Sequence, residues 1–159
     1  MMARDDLHRV VLAGIPVEVW ARSREWFNGL IREFDVIASG TDLGSDATPS
    51  QMVTFVAETS EKFARFNQTE PLLDQAIADG DVELDLDLLL PPEAGEAARE
   101  LWRLIEKADA YCVSDDLLTL AIPEEVRRFA RWYLFEVARQ VDGQESIPWS
   151  RASHQPGFL

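Results

Sequence analysis

Four acids occupy alternate positions at Asp81, Glu83, Asp85 and Asp87, a pattern from which a cation site or a docking stripe for a basic partner could be built. Side chains two apart on a strand sit about 6.8 Å from each other. Calcium holds its oxygen ligands at roughly 2.3–2.6 Å, so neighbours on such a stripe do not chelate one ion. Asp79-Gly80-Asp81 opens like a calcium loop, but Leu84 stands at the sixth position, where that loop needs glycine. Calcium is excluded on these grounds. Two readings stay open: a stripe that docks a basic partner, and a solvated strand face that discourages edge-to-edge sheet pairing.

The other chemistry-bearing residues form no catalytic pattern. Gly40-Thr41-Asp42-Leu43-Gly44-Ser45 lacks the lysine and the glycine spacing of a phosphate loop, and Asp42 and Asp46 would repel phosphate. Ser45 is not in a Gly-x-Ser-x-Gly elbow. His8 and His154 lie near opposite ends of the chain without a metal-ligand spacing. Cys112 has no second cysteine to pair with and reads as a small buried apolar residue. Glu25, Glu33, Glu58 and Glu61 read as helix-surface acids. No catalytic, cofactor or metal residue is assigned.

The richest constellation lies after Pro123. At about 100° per residue, Val126, Phe129, Ala130, Tyr133, Leu134, Val137 and Val141 share one helix face. Phe135 falls opposite, among Arg128, Arg131 and Arg139, and Trp132 sits on a flank. Aromatic residues with arginine suit a protein interface, which makes Trp132, Phe135, Arg128, Arg131, Arg139 and Trp149 the candidate partner-binding set. The same residues could instead hold the C-terminal tail, with Trp149 folding back onto Trp132 and Phe135.

These residues need elements to position them. Val10–Ile15 is a short apolar run before Pro16 and reads as a strand. Val19, Trp20, Ser23, Phe27, Leu30, Ile31 and Phe34 then mark a helix that should stop before the loop-like stretch Ser39–Pro49. A second helix is expected from Pro49 to about Asn67, and a third over 70–79, entered at Thr69 and closed by Gly80. Val82, Leu84, Leu86, Leu88 and Leu90 alternate with acids and give the clearest strand, with one face inward and one in water. Pro91-Pro92 should open a helix to about Cys112. Asp115-Asp116 should turn the chain into a strand over Leu117–Ile122, and a last helix should run from Pro123 to Gly143.

Pro16, Pro91 and Pro123 each separate a short apolar run from a helix, and the residue seven beyond each is small: Ser23, Ala98 and Ala130. A small residue at that offset predicts a close helix-on-strand contact. The second and third units would form a crossover with parallel strands.

The chain has 159 residues, with 29 acidic and 15 Lys plus Arg side chains and a formal charge of −14. That size suits one domain with a real core. The charge disfavours nucleic acid and anionic lipid surfaces as partners. No apolar run approaches the ~20 residues of a membrane span, and Asp5 and Asp6 precede the first apolar run, unlike a signal peptide. The expected location is the cytoplasm.

Val11-Leu12-Ala13-Gly14-Ile15-Pro16 followed by an amphipathic helix resembles the opening of switch-type anti-sigma kinases. Those kinases hold ATP and magnesium with a Glu-x-x-x-Asn box and an Asp-x-Gly-x-Gly loop. Neither occurs here, and Asp42-Leu43-Gly44-Ser45-Asp46 keeps only a fragment of the second. The segment from Ile122 to Gln140, with Pro148-Trp149 beyond it, resembles small uncharacterised actinobacterial proteins, some of them encoded beside anti-sigma factors and sigma-antagonist-type proteins. That resemblance implies a regulatory partner and supplies no catalytic residue.

The expectation is a two-layer α/β (α+β) domain over residues 1–143, with a small sheet of about three strands and four or five helices mainly on one face. Residues 144–159 form an irregular tail. The expected role is a non-enzymatic regulatory or protein-interaction module without a cofactor, in a bacterial signalling or sigma-factor control system. Two alternatives stand beside it: a small-molecule-binding protein or enzyme with a pocket lined by Trp20, Trp26, Trp102 and Tyr111, and a homodimeric structural module.

Overall fold

The computed structural model of the chain describes residues 6–40, 48–66, 69–114, 117 and 120–153. Their order is β1 (His8–Pro16), α1 (Val17–Gly40), α2 (Thr48–Lys62), α3 (Glu70–Asp79), β2 (Glu83–Leu90), α4 (Glu93–Ser114), α5 (Glu124–Val141) and α6 (Trp149–Ala152). The expected turn at Asp115-Asp116, the stretch 41–47 of the expected loop, and His154 lie outside these residues.

The mixed helix-and-strand class holds, but the sheet has two strands, β1 and β2, paired antiparallel. Val10, Leu12, Ile15, Leu86 and Leu90 are buried on its inner face, while Arg9, Asp87 and Leu89 are exposed on the other. Register passes from Leu12↔Leu86 to Ile15↔Leu84, so β1 carries one residue more than β2 between these pairs. Gly14 absorbs the extra residue at φ 71°, and its N–H donates to Asp85 Oδ1 at 2.7 Å. This bulge returns Ile15 to the inner face after an odd interval.

The third strand expected over Leu117–Ile122 is absent among the described residues. Two of its described backbone groups are taken by side chains from the helices. The Ile122 N–H donates to Asp109 Oδ1 at 2.8 Å, and Trp26 Nε1 donates to the Leu120 carbonyl at 3.0 Å. Leu120 N–H meanwhile closes a turn onto the Leu117 carbonyl. The segment therefore lies against α1 and α4, and the parallel crossover that depended on it does not form.

Helix ends follow the expected punctuation only in part: α1 runs on through Ser39 to Gly40, past its expected stop. Gly80 caps α3 in the left-handed region at φ 71°, with its N–H on the carbonyls of Ala76 and Ile77. The second helix ends at Lys62, short of the expected Asn67, and a turn over residues 63–66 follows. The core forms two clusters. One joins the sheet's inner face to Leu73, Phe129, Trp132 and Val137. The other joins Leu30, Phe34, Met52, Trp102, Ile105 and Val126 from α1, α2, α4 and α5. No described helix is long and apolar enough to cross a membrane.

Candidate partner-docking site

The two edges of the sheet have different fates. Gln140, buried on α5, presents its amide to β1: the Val11 N–H donates to Oε1 and Nε2 donates to the Val11 carbonyl, both at 2.8 Å. One side chain thus mimics the peptide group of a neighbouring strand. Ser146 Oγ adds a second bond to the Val11 carbonyl at 2.9 Å. The Gln140 amide is itself held by Glu136, only 1% exposed, whose Oε2 accepts from Gln140 Nε2 and from the Ile147 N–H, both at 2.9 Å. Arg139 pairs with the other Glu136 oxygen. The outer edge of β1 is closed by this node.

Among the described residues, the outer edge of β2 carries no strand. Because Val11 spends both backbone groups on Gln140, its partner Asp87 belongs to a non-hydrogen-bonded pair. The N–H and carbonyl of Asp87, and of Leu89 two residues on, therefore point away from β1. Leu89 is 44% exposed and Val82 81%. The acids on this face are exposed, with Asp87 paired to Arg9 at 2.6 Å. The Arg9 guanidinium holds the Asp87 carboxyl below its ordinary range, chiefly through the hydrogen bond.

Beneath β2 lies an apolar crevice of ≈ 220 Å³, walled by Leu88 and Leu90 of the strand, Phe55 and Phe63 of α2, and Ala97 and Leu101 of α4. Phe55, Thr59, Phe63 and Ala97 continue into a polar groove rimmed by Glu58, Glu93, Glu96 and Glu100. Of the basic residues there, Arg99 is paired with Asp142 and Arg103 with Glu100, while the Lys62 ammonium lies 5.4 Å from the centre of the Phe63 ring. Glu58, Glu93 and Glu96 have no ion-pair partner among the described residues, so the rim is left acidic. The same residues offer no group of three or more His, Cys, Asp or Glu side chains able to hold a metal ion.

The residues chosen from the sequence as partner-binding are gathered at the C-terminal segment, and most of them hold it in place. Trp132, expected on a flank, is 1% exposed: its Nε1 donates to the Ile147 carbonyl at 2.9 Å and its ring meets Trp149 edge-on at 5.5 Å. Arg128 donates to the Ser153 carbonyl at 2.8 Å. Arg139 reaches Gln144 and the Glu145 carbonyl in addition to Glu136. Phe135 is half-buried against Trp102, with the Arg131 guanidinium 5.1 Å from its ring. The tail expected to be irregular makes one helical turn, α6, with Ala152 buried.

Of the aromatic residues expected around a pocket, Trp20 and Trp26 line a second cavity between α1 and α5. Trp102 is buried against Phe135, and Tyr111 packs edge-on against Phe34 at 5.7 Å, both away from that cavity. Gln140, Glu136 and the crevice were not singled out from the sequence. The available signal was Trp132 and Phe135 lying outside the main apolar face of the last helix, which marks a helix covered on more than one side. No family model, curated protein or solved structure matches this chain.

Proposed function

We propose that this chain is a non-enzymatic regulatory module that binds an extended, basic segment of a protein partner along β2. The observation that carries this is the strand edge left open at Asp87 and Leu89 beside an apolar crevice with an acidic rim. An added strand would gain main-chain hydrogen bonds from the edge and specificity from an apolar side chain in the crevice. Lysine or arginine at the alternate positions that face water would meet Glu83 and Asp85, while Glu58, Glu93 and Glu96 rim the side that receives the apolar residues. A second copy pairing β2 with β2 would bring like charges together, which disfavours a homodimer through this edge. The resemblance of residues 122–140 and Pro148-Trp149 favours a setting in bacterial sigma-factor control.

Leu89→Pro tests the proposal. It removes one outward N–H at an edge position where proline is tolerated. Affinity for a peptide of alternating lysine and valine, read by fluorescence anisotropy, should fall by about tenfold, or ~1.4 kcal/mol. The melting temperature should change little, and wild-type affinity should weaken with added salt. Equal affinity in the variant, or binding indifferent to salt, would count against the docking edge. Concentration-dependent mass in light scattering, abolished by the same variant, would assign the edge to self-association instead.

A further inference from the structure

Ala98 is one of the three small residues that recur seven places after a proline. Close contact of helix with strand was the expected reason. Instead, Ala94, Ala97 and Ala98 of α4 present only methyl groups to the crevice beneath β2, and ≈ 220 Å³ stays open between helix and sheet. Thr59 on the α2 wall turns its hydroxyl back onto its own helix, donating to the Phe55 and Val56 carbonyls at 2.8 and 3.3 Å. Phe27, Phe55, Phe63 and Tyr133 supply aromatic rings to the walls. The crevice therefore suits an apolar group, and its rings favour an aromatic one that meets them edge-on or offset.

The strand edge fixes which residue of a docked segment reaches it. The outward backbone groups of β2 belong to Asp87 and Leu89. In an antiparallel strand added there, the residues facing Asp87 and Leu89 exchange both hydrogen bonds with them. The residue between them faces Leu88 as a non-hydrogen-bonded pair, in which side chains lie closest. It points inward with Leu88, which walls the crevice and is only half-buried. Its two neighbours point to the exposed face. An apolar cavity of about 150 Å³ accepts benzene. This crevice has room for a phenyl ring with its methylene group, while valine leaves it partly empty.

Resting on the reading that β2 docks an extended basic segment, we propose that the segment is anchored by one aromatic residue, placed opposite Leu88 and seated in the crevice. Two peptides of alternating lysine and valine, one with its central valine replaced by phenylalanine, are compared on the full chain by fluorescence anisotropy. The phenylalanine peptide should bind about tenfold more tightly, from added apolar burial and ring contacts. Ala97→Leu narrows the crevice at a partly exposed position of α4. It should erase that gain while leaving affinity for the valine peptide near wild type. The wild-type comparison decides the matter even if leucine is not accommodated. Equal affinity for the two peptides, with valine-peptide binding intact and sensitive to Leu89→Pro, would overturn the anchor and leave the docking edge standing. A gain that survives Ala97→Leu would place the ring elsewhere and overturn the anchor too. Binding of neither peptide would remove the docking edge itself, and the anchor with it.

Discussion

Glu136 gathers hydrogen bonds from three partners. A carboxylate buried to 1% exposure survives only when its oxygens are fully engaged, and here Gln140, Ile147 and Arg139 donate to it. Tyr133 is the counterpart that stays neutral. Burial, and secondarily the charge of Glu70, push its phenol up to about 12 from 10.0. The sign follows from linkage: between pH 10 and 12 the unfolded chain releases this proton while the folded chain keeps it. Its contribution to stability is therefore complete below pH 10 and is lost as pH climbs through 12. Urea midpoints across that window should fall more steeply for the wild type than for Tyr133→Phe.

At the scale of elements, α5 decides the character of the sheet. A two-stranded ribbon is marginal by itself and has two edges open to pairing. α5 closes one edge with the Gln140 amide and supports the inner face through Phe129, Trp132 and Val137. Gln140→Ala should cost about 1–3 kcal/mol in urea denaturation, because it leaves the Val11 N–H without a partner and removes one of the two donors to the Val11 carbonyl and to Glu136 Oε2. β2 receives no such closure, which is why the proposed partner site falls there. Double substitution of Trp132 and Phe135 is a poor probe of binding, since Trp132 is core and its loss would unfold the helix's surroundings.

At the scale of the whole molecule, the C-terminal segment completes the sheet-side cluster. Ile147 and Trp149 pack against that cluster, and Ala152 belongs to it. Trp149→Ala should lower stability by about 2–4 kcal/mol and should shift the emission of Trp132 to the red as water reaches it, both measurable in one fluorescence-monitored denaturation. The two cavities share Phe27, Leu101, Tyr133 and Leu134 as a common wall between the sheet side and the α1–α5 side. The surface charge of −14 sets the sign of any protein partner's docking face.

The sequence by itself determined the helices α1 to α5, though not the turn α6, as well as where Gly80 and the prolines stop or start them and that alternate leucines of β2 face inward. Those features depend on backbone geometry and on side chains a few residues apart. Whether Leu117–Ile122 would pair as a strand was not a local matter, because Trp26 and Asp109 claim its backbone from other helices. The same holds for Gln140, which reaches Val11 across 129 positions, and for Trp149, which covers Trp132 only once the chain has turned at Gly143, φ 93°. Hydrogen-bonding capacity is written into each residue type, but its partner is chosen by whatever the fold brings within 3 Å or so. Tertiary structure therefore decided which strand edge is closed, which is open, and where the small residues leave space.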